Sequence, residues 1–148
     1  MGMFQSEGFR LICINTHLDF EPTVQVESAH LILRYLSLFP SEVPAILVGD
    51  FNAEPESEVY HVFSGGVQEG RSGEENTFEN ALAPAYPGTY HGFTGVPDGR
   101  HIDWIMYRGN LDIISADVIS NPIGGIFPSD HFPLQADFRG GAATKREP

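Results

Sequence analysis

The stretch Ile46-Leu-Val-Gly-Asp-Phe-Asn-Ala-Glu-Pro55 governs how the rest of this chain is read. Ala45–Val48 is a short continuous apolar run, the pattern of a strand in a sheet covered on both faces. It ends abruptly at Gly49-Asp50-Phe51-Asn52. Glycine there permits a tight backbone and close approach of a ligand. A buried strand thus delivers a carboxylate, and two residues later an amide, to a sheet edge. Taken alone, Asp50 and Asn52 read as readily as a structural Asx-turn or a cap for Glu54–Ser57 as they do as catalytic groups.

Working outward, three further segments have the same layout. They are Ile14-Asn15-Thr16-His17-Leu18, Arg100-His101-Ile102-Asp103-Trp104-Ile105 and Ser129-Asp130-His131-Phe132-Pro133. Each sits at one end of a strand-like run. With Asp50 and Asn52 they gather histidine, aspartate and asparagine side chains, an inventory suited to metal-assisted attack on a phosphate ester. No Cys/His spacing suggests structural zinc.

In this order the segments resemble the endonuclease/exonuclease/phosphatase superfamily, the DNase-I-like fold. The resemblance runs from about Phe9 to Phe138 and covers the C-terminal half of that family. It implies an α/β (α+β) class, part of a four-layer α/β/β/α sandwich with two packed, mainly antiparallel sheets. This chain is expected to supply roughly one sheet and its helices. The family's N-terminal half, with its metal-binding glutamate and early asparagine, is expected to be absent; Glu54 and Glu56 do not match that glutamate. The inner sheet face would then be an apolar patch that cannot stay in water. The chain is therefore expected to associate with itself or to pair with an N-terminal half.

Composition narrows the classes. A chain of 148 residues with 41% hydrophobic content can build one domain with a real core. That excludes a disordered chain, and no apolar run approaches membrane-spanning length. No secretory signal is visible, and residues 1–8 read as a disordered or added start. Met1-Gly2-Met3-Phe4-Gln5-Ser6 matches a myristoylation pattern, without the basic patch that would support it. The single cysteine, Cys13, excludes an internal disulfide framework and reads as a buried, inert thiol. A cytoplasmic location is consistent with this. The net charge is −12, and no basic cluster precedes Lys145-Arg146. Such a surface repels polyphosphate backbones. The expected partner is a small phosphoester or lipid head group rather than nucleic acid.

The pattern predicts strands at Phe9–Ile14, Ala45–Val48, His101–Tyr107, Leu111–Ile119 and Phe132–Phe138. A helix is predicted from Pro22 to about Phe39, with Val26, Ala29, Leu33 and Leu36 on its apolar face. A shorter one is predicted over Glu56–Phe63, stopped by Gly65-Gly66. Val67–Gly99 reads as a long irregular excursion. The domain spans 9–138, with a flexible tail at 139–148.

Site roles follow from the resemblance together with side-chain chemistry. Asp50 orients or deprotonates the attacking water. His17 and the Asn52 amide donate to phosphate oxygens. Neighbours on an extended chain point to opposite sides, so His131 faces the phosphate while Asp130 faces a metal or another loop. Asp103 is the natural orienting partner of His131; the alternative is an ion pair with Arg100 or Arg108. The resemblance expects Arg-Ile-Asp where this chain has Arg100-His101-Ile102-Asp103, so either Arg100 or His101 reaches the site. Asn15 and Arg100 are further substrate-binding candidates. Thr89-Tyr-His-Gly-Phe93 resembles a segment of the phosphatase-like branch. It reads as a substrate mouth with His91 in it, or as a strand edge with Tyr90 and Phe93 as core aromatics. His30 and His61 read as surface residues, Phe51 and Trp104 as core. Oxygen ligands imply Mg²⁺, with Mn²⁺ as the alternative, and Asp130 as its ligand. The leading expectation is a Mg²⁺-dependent hydrolase of phosphate esters working by activated-water attack. The alternative is an inactive fragment or phosphate-binding module that needs an N-terminal partner half. A nuclease is the third reading.

Overall fold

Side-chain alternation makes the central sheet one-sided. In the computed structural model, which describes residues 1–6, 8–65 and 77–140, β1 (Gly2–Ser6) and β2 (Phe9–His17) precede α1 (Pro22–Leu36) and β3 (Ala45–Asp50). Then come α2 (Glu58–Ser64), β4 (Glu79–Asn80), β5 (Asp103–Arg108), β6 (Leu111–Val118) and β7 (Leu134–Gly140). Ile12, Ile14, Ala45, Leu47, Trp104 and Met106 are buried beneath the helices. Their alternates Leu11, Cys13, Ile46, Val48 and Tyr107 are only half-buried on the other face. The expectation of a strand covered on both sides therefore holds for one face only. Cys13 is half-buried, and burial raises its thiol pKa.

The large sheet has the order β1-β2-β3-β5-β4, and β6-β7 form a separate two-stranded sheet. Among the described residues only β2 and β3 run parallel; the remaining pairs are antiparallel. A parallel pair needs a crossover, and α1 supplies it. The mixed α/β class with mainly antiparallel sheets is thus as expected. The start of the chain is a correction: Gly2–Ser6 pairs with β2 from Gly2↔Cys13 to Ser6↔Phe9. The open edge of β2 offers unpaired backbone groups, and an extended segment satisfies them.

Helix ends follow local chemistry. Pro22 opens α1, where its missing N–H costs nothing. Ala29 and Leu36 are buried, with Val26 and Leu33 packed beside them. The helix stops at Leu36, short of Phe39, where the Ser37 N–H returns to the Leu33 carbonyl. Ser57 caps α2 by accepting from the Tyr60 N–H at 3.3 Å, so that helix begins two residues after Glu56. Gly65 ends it at φ 75°. Phe51 stacks on Trp104 at 4.2 Å with Phe63 edge-on at 5.7 Å, so both predicted core aromatics are core.

Of the predicted excursion, residues 67–76 lie outside the described residues; the rest holds β4 and irregular turns. Of the predicted tail, Arg139 and Gly140 belong to β7, and 141–148 lie outside the described residues. Among the described residues no helix is long and apolar enough to cross a membrane.

One glycine fixes the geometry at the sheet's end. Gly49 has φ 143°, and a Cβ there would lie 1.8 Å from the carbonyl oxygen of Thr16, its register partner in β2. Gly49→Ala should destabilise the protein by about 2 kcal/mol or more. Urea unfolding of the two proteins checks this; equal midpoints would contradict it.

Candidate functional site

Strand register converts distant sequence positions into one row. His17 pairs with Asp50, and Asp50 with Asp103, across the ends of β2, β3 and β5. A segment after β4 completes the arrangement. Tyr90 bridges to His131, flanked by His91 N–H to the Asp130 carbonyl at 2.9 Å and Phe132 N–H to the Thr89 carbonyl at 2.8 Å. On its other side, the Thr89 and Tyr90 N–H groups both donate to the Arg100 carbonyl.

Asp50 divides its oxygens. Oδ1 accepts from the Asn52 N–H at 2.8 Å, an Asx-turn. Oδ2 lies 3.5 Å from His17 Nε2 and 4.0 Å from His131 Nε2. His131 Nδ1 donates to Asp103 Oδ2 at 2.8 Å, which leaves Nε2 facing Asp50. Asp103 therefore chooses the histidine over Arg100 or Arg108. Burial pulls the His131 pKa down, but the hydrogen bond to Asp103 and the charges of Asp103, Asp50 and Asp130 outweigh it. The net shift is upward, favouring the imidazolium. His17, Asp50, Asp103 and His131, with Asn15, Thr16, Gly49 and Ser129, line a polar cleft of about 510 Å³. A comparable hollow between residues 81–87 and β6 holds no histidine.

Other predicted residues fall elsewhere. The Asn52 side chain is buried and donates to the Leu18 carbonyl at 2.8 Å, securing the loop instead of opening onto the cleft. Gln25 on α1 anchors the same loop through the Asn52 carbonyl. Arg100 is half-exposed and pairs with Glu54 at 3.6 Å. The extra residue, His101, is buried, donates from Nδ1 to the Pro87 carbonyl at 2.6 Å, and burial lowers its pKa. Neither Arg100 nor His101 lines the cleft. His91 is buried, stacks on Phe132 at 4.0 Å, and its Nδ1 accepts from the Gly95 N–H. It supports the loop and is not at the mouth. Tyr90 and Phe93, read as core if His91 was not at a mouth, are exposed instead.

Sequence reading passed over Thr89. Its side chain is fully buried, and Oγ1 accepts from the N–H groups of Ile102 at 3.0 Å and Asp103 at 3.1 Å. One hydroxyl thus holds the start of β5 against Thr89, whose carbonyl in turn accepts from the N–H of Phe132 beside His131. Its place at the head of Thr89-Tyr-His-Gly-Phe93 was the available signal.

Donor atoms of Asp50, Asp103 and His131 come within 4.8 Å of one another. Asp130 is not one of that cluster's three residues, although its charge acts on His131. The His131 Nδ1 is already taken by Asp103, so the set offers mainly carboxylate oxygen. That suits a hard divalent cation of the Mg²⁺ kind, which takes one or two protein carboxylates and keeps several waters.

Known proteins resemble this chain in sequence and in fold. The model of the endonuclease/exonuclease/phosphatase family matches residues 9–131. The mouse protein 2',5'-phosphodiesterase 12 is 32% identical over 124 residues, covering 66% of this chain and 20% of that protein. The Candida albicans CCR4-Not complex 3'-5'-exoribonuclease subunit Ccr4 is 27% identical, covering 91% of this chain and 22% of that protein. This chain thus spans about a fifth of the length of both. A solved endonuclease/exonuclease/phosphatase from Bacteroides vulgatus superposes with a TM-score of 0.76 at 26% identity, covering 90% of this chain and 51% of that one. With the family model matched from β2 through His131, this chain belongs to the endonuclease/exonuclease/phosphatase family.

Proposed function

We propose that this chain carries the hydrolytic groups of a divalent-cation-dependent phosphoesterase that acts by attack of an activated water. The observation supporting this most directly is the Asp103–His131 pair, with His131 Nε2 and Asp50 Oδ2 facing one another at 4.0 Å in a polar cleft. A phosphate seated there receives a hydrogen bond from the imidazolium of His131, whose charge Asp103 sustains and whose ring it orients. Asp50 orients the attacking water and takes its proton. Its Oδ1 is tied to the Asn52 N–H, so Oδ2 is presented without freedom to swing. His17, with a side chain 71% exposed, closes the opposite rim as a second donor. Asp50 and Asp103 would hold the cation, which when bound neutralises phosphate charge and acidifies water. We assign Mg²⁺ to this role on oxygen-donor chemistry.

The substrate we propose is a small phosphoester, a class that includes lipid head groups, because a net charge of −12 disfavours a polyanionic strand. A second reading has its own support: a phosphate-binding half that acts only with a partner. The Leu11, Cys13, Ile46, Val48 and Tyr107 face is half-covered, with Phe138 of β7 packed against Tyr107. We propose an N-terminal half of the same fold as the covering body, because this chain matches 51% of the solved Bacteroides vulgatus chain.

Hydrolysis of bis(p-nitrophenyl) phosphate and p-nitrophenyl phosphate, with Mg²⁺ and with chelator, tests the proposal. Metal-dependent release of p-nitrophenol is expected from the chain alone or after mixing with such a half. Asp50→Asn and His131→Ala should each lower it by about 10²–10⁴-fold. No turnover in either preparation, or turnover undiminished in both variants, contradicts the reading. Thr89→Val should strand two backbone N–H groups, costing about 1–3 kcal/mol each. It should also cut turnover about tenfold or more through a displaced Asp103. Thr89→Ser should restore most of both. Unchanged stability and turnover in Thr89→Val would remove Thr89 from the argument.

A further inference from the structure

We propose that Tyr90 selects the organic portion of the substrate, and that this portion is a planar aromatic group. The inference rests on the phosphoester reading above and names the substrate class within it. The cleft lining supplies hydrogen bonds and charge but no apolar wall: its side chains are Asn15, Thr16, His17, Asp50, Asp103, Ser129 and His131. A phosphate satisfies those groups. The carbon skeleton attached to it must extend over the rim, where contact depends on the neighbouring surface.

Beside His131 that surface is Tyr90. Its ring centroid lies 5.2 Å from the imidazole centroid at an interplanar angle of 68°, and the residue is 40% exposed. An aromatic ring touching a cleft-lining histidine while open to solvent is a ready face for a second ring. Its backbone is also immobilised from both sides. Tyr90 N–H donates to the Arg100 carbonyl at 3.1 Å, while the Thr89 and His91 main chains hydrogen-bond to Phe132 and Asp130 on either side of the Tyr90–His131 bridge. Packing there is tight: a Cβ on Gly99 would fall 1.9 Å from the Tyr90 carbonyl oxygen. The pairing that sets His131 therefore also sets Tyr90, and stacking requires little further ordering of the protein. Across the cleft, the exposed His17 ring offers a second planar group.

Calorimetric titration of the full chain with phenylphosphonate and methylphosphonate tests this without requiring turnover. Wild-type protein should bind the phenyl compound about five- to tenfold more tightly. Tyr90→Ala, and Tyr90→Thr as a second variant suited to an extended segment, should lose that preference while keeping methylphosphonate affinity within about twofold. Tyr90→Trp should keep the preference. No preference in the wild type, binding of neither phosphonate, or an equal loss for both compounds in the variants overturns the proposal; the last result makes Tyr90 a support for His131 only. Release of p-nitrophenol is scored separately. Phenyl-selective binding that depends on Tyr90 without turnover would sink hydrolysis and leave the selection standing.

Discussion

The 2.8 Å hydrogen bond from His131 to Asp103 is the constraint on which this site depends. It joins residues 28 positions apart and sets which imidazole nitrogen faces the cleft. Isolated in water, such a bond would contribute little. Here it is held by a frame: Thr89 fixes the backbone of Asp103 through its hydroxyl and that of Phe132 through its carbonyl. The frame ensures that Asp103 and His131 meet without a search, so the carboxylate fixes the orientation of the imidazole.

Electrostatics follows from the same contact. Asp50, Asp103 and Asp130 surround a histidine that is only partly shielded from water, so its positive form is favoured despite burial. Three carboxylates still outnumber that one positive charge, so the cluster stays acidic, as a cation site requires. Gly49 makes this crowding sterically feasible by letting β3 approach Thr16 closely enough for His17 and Asp50 to stand side by side. Leu11, Cys13, Ile46, Val48 and Tyr107 on the sheet's other face remain half-covered.

His17, Asp50, Asp103 and His131 were visible in the sequence because each sits at one end of a strand-like run; strand register aligns the first three, and the Tyr90 bridge brings in His131. The α1 face and the aromatic core were legible from periodicity for a similar reason. Asn52, Arg100 and His91 were misplaced because residue type does not disclose which partner a side chain will find. Leu18, Glu54 and Phe132 took them. Thr89 escaped notice because a buried hydroxyl that organises two backbones looks like any other threonine in a loop. β1 was missed because strand pairing along an open edge is a tertiary preference that Gly2–Ser6 alone does not display.

The most direct test is an NMR titration of the His131 imidazole in metal-free protein, wild type and Asp103→Asn. The folded pKa should lie above the ordinary value of about 6.5 and fall when Asp103 loses its charge. Because folding raises this pKa, the associated stability should be fully present below about pH 6.5 and disappear as pH rises through the folded value. The proton on Nδ1 should persist in the wild type as the Asp103 bond. A His131 that titrates at or below its ordinary value, unchanged by Asp103→Asn, would contradict the account at its centre.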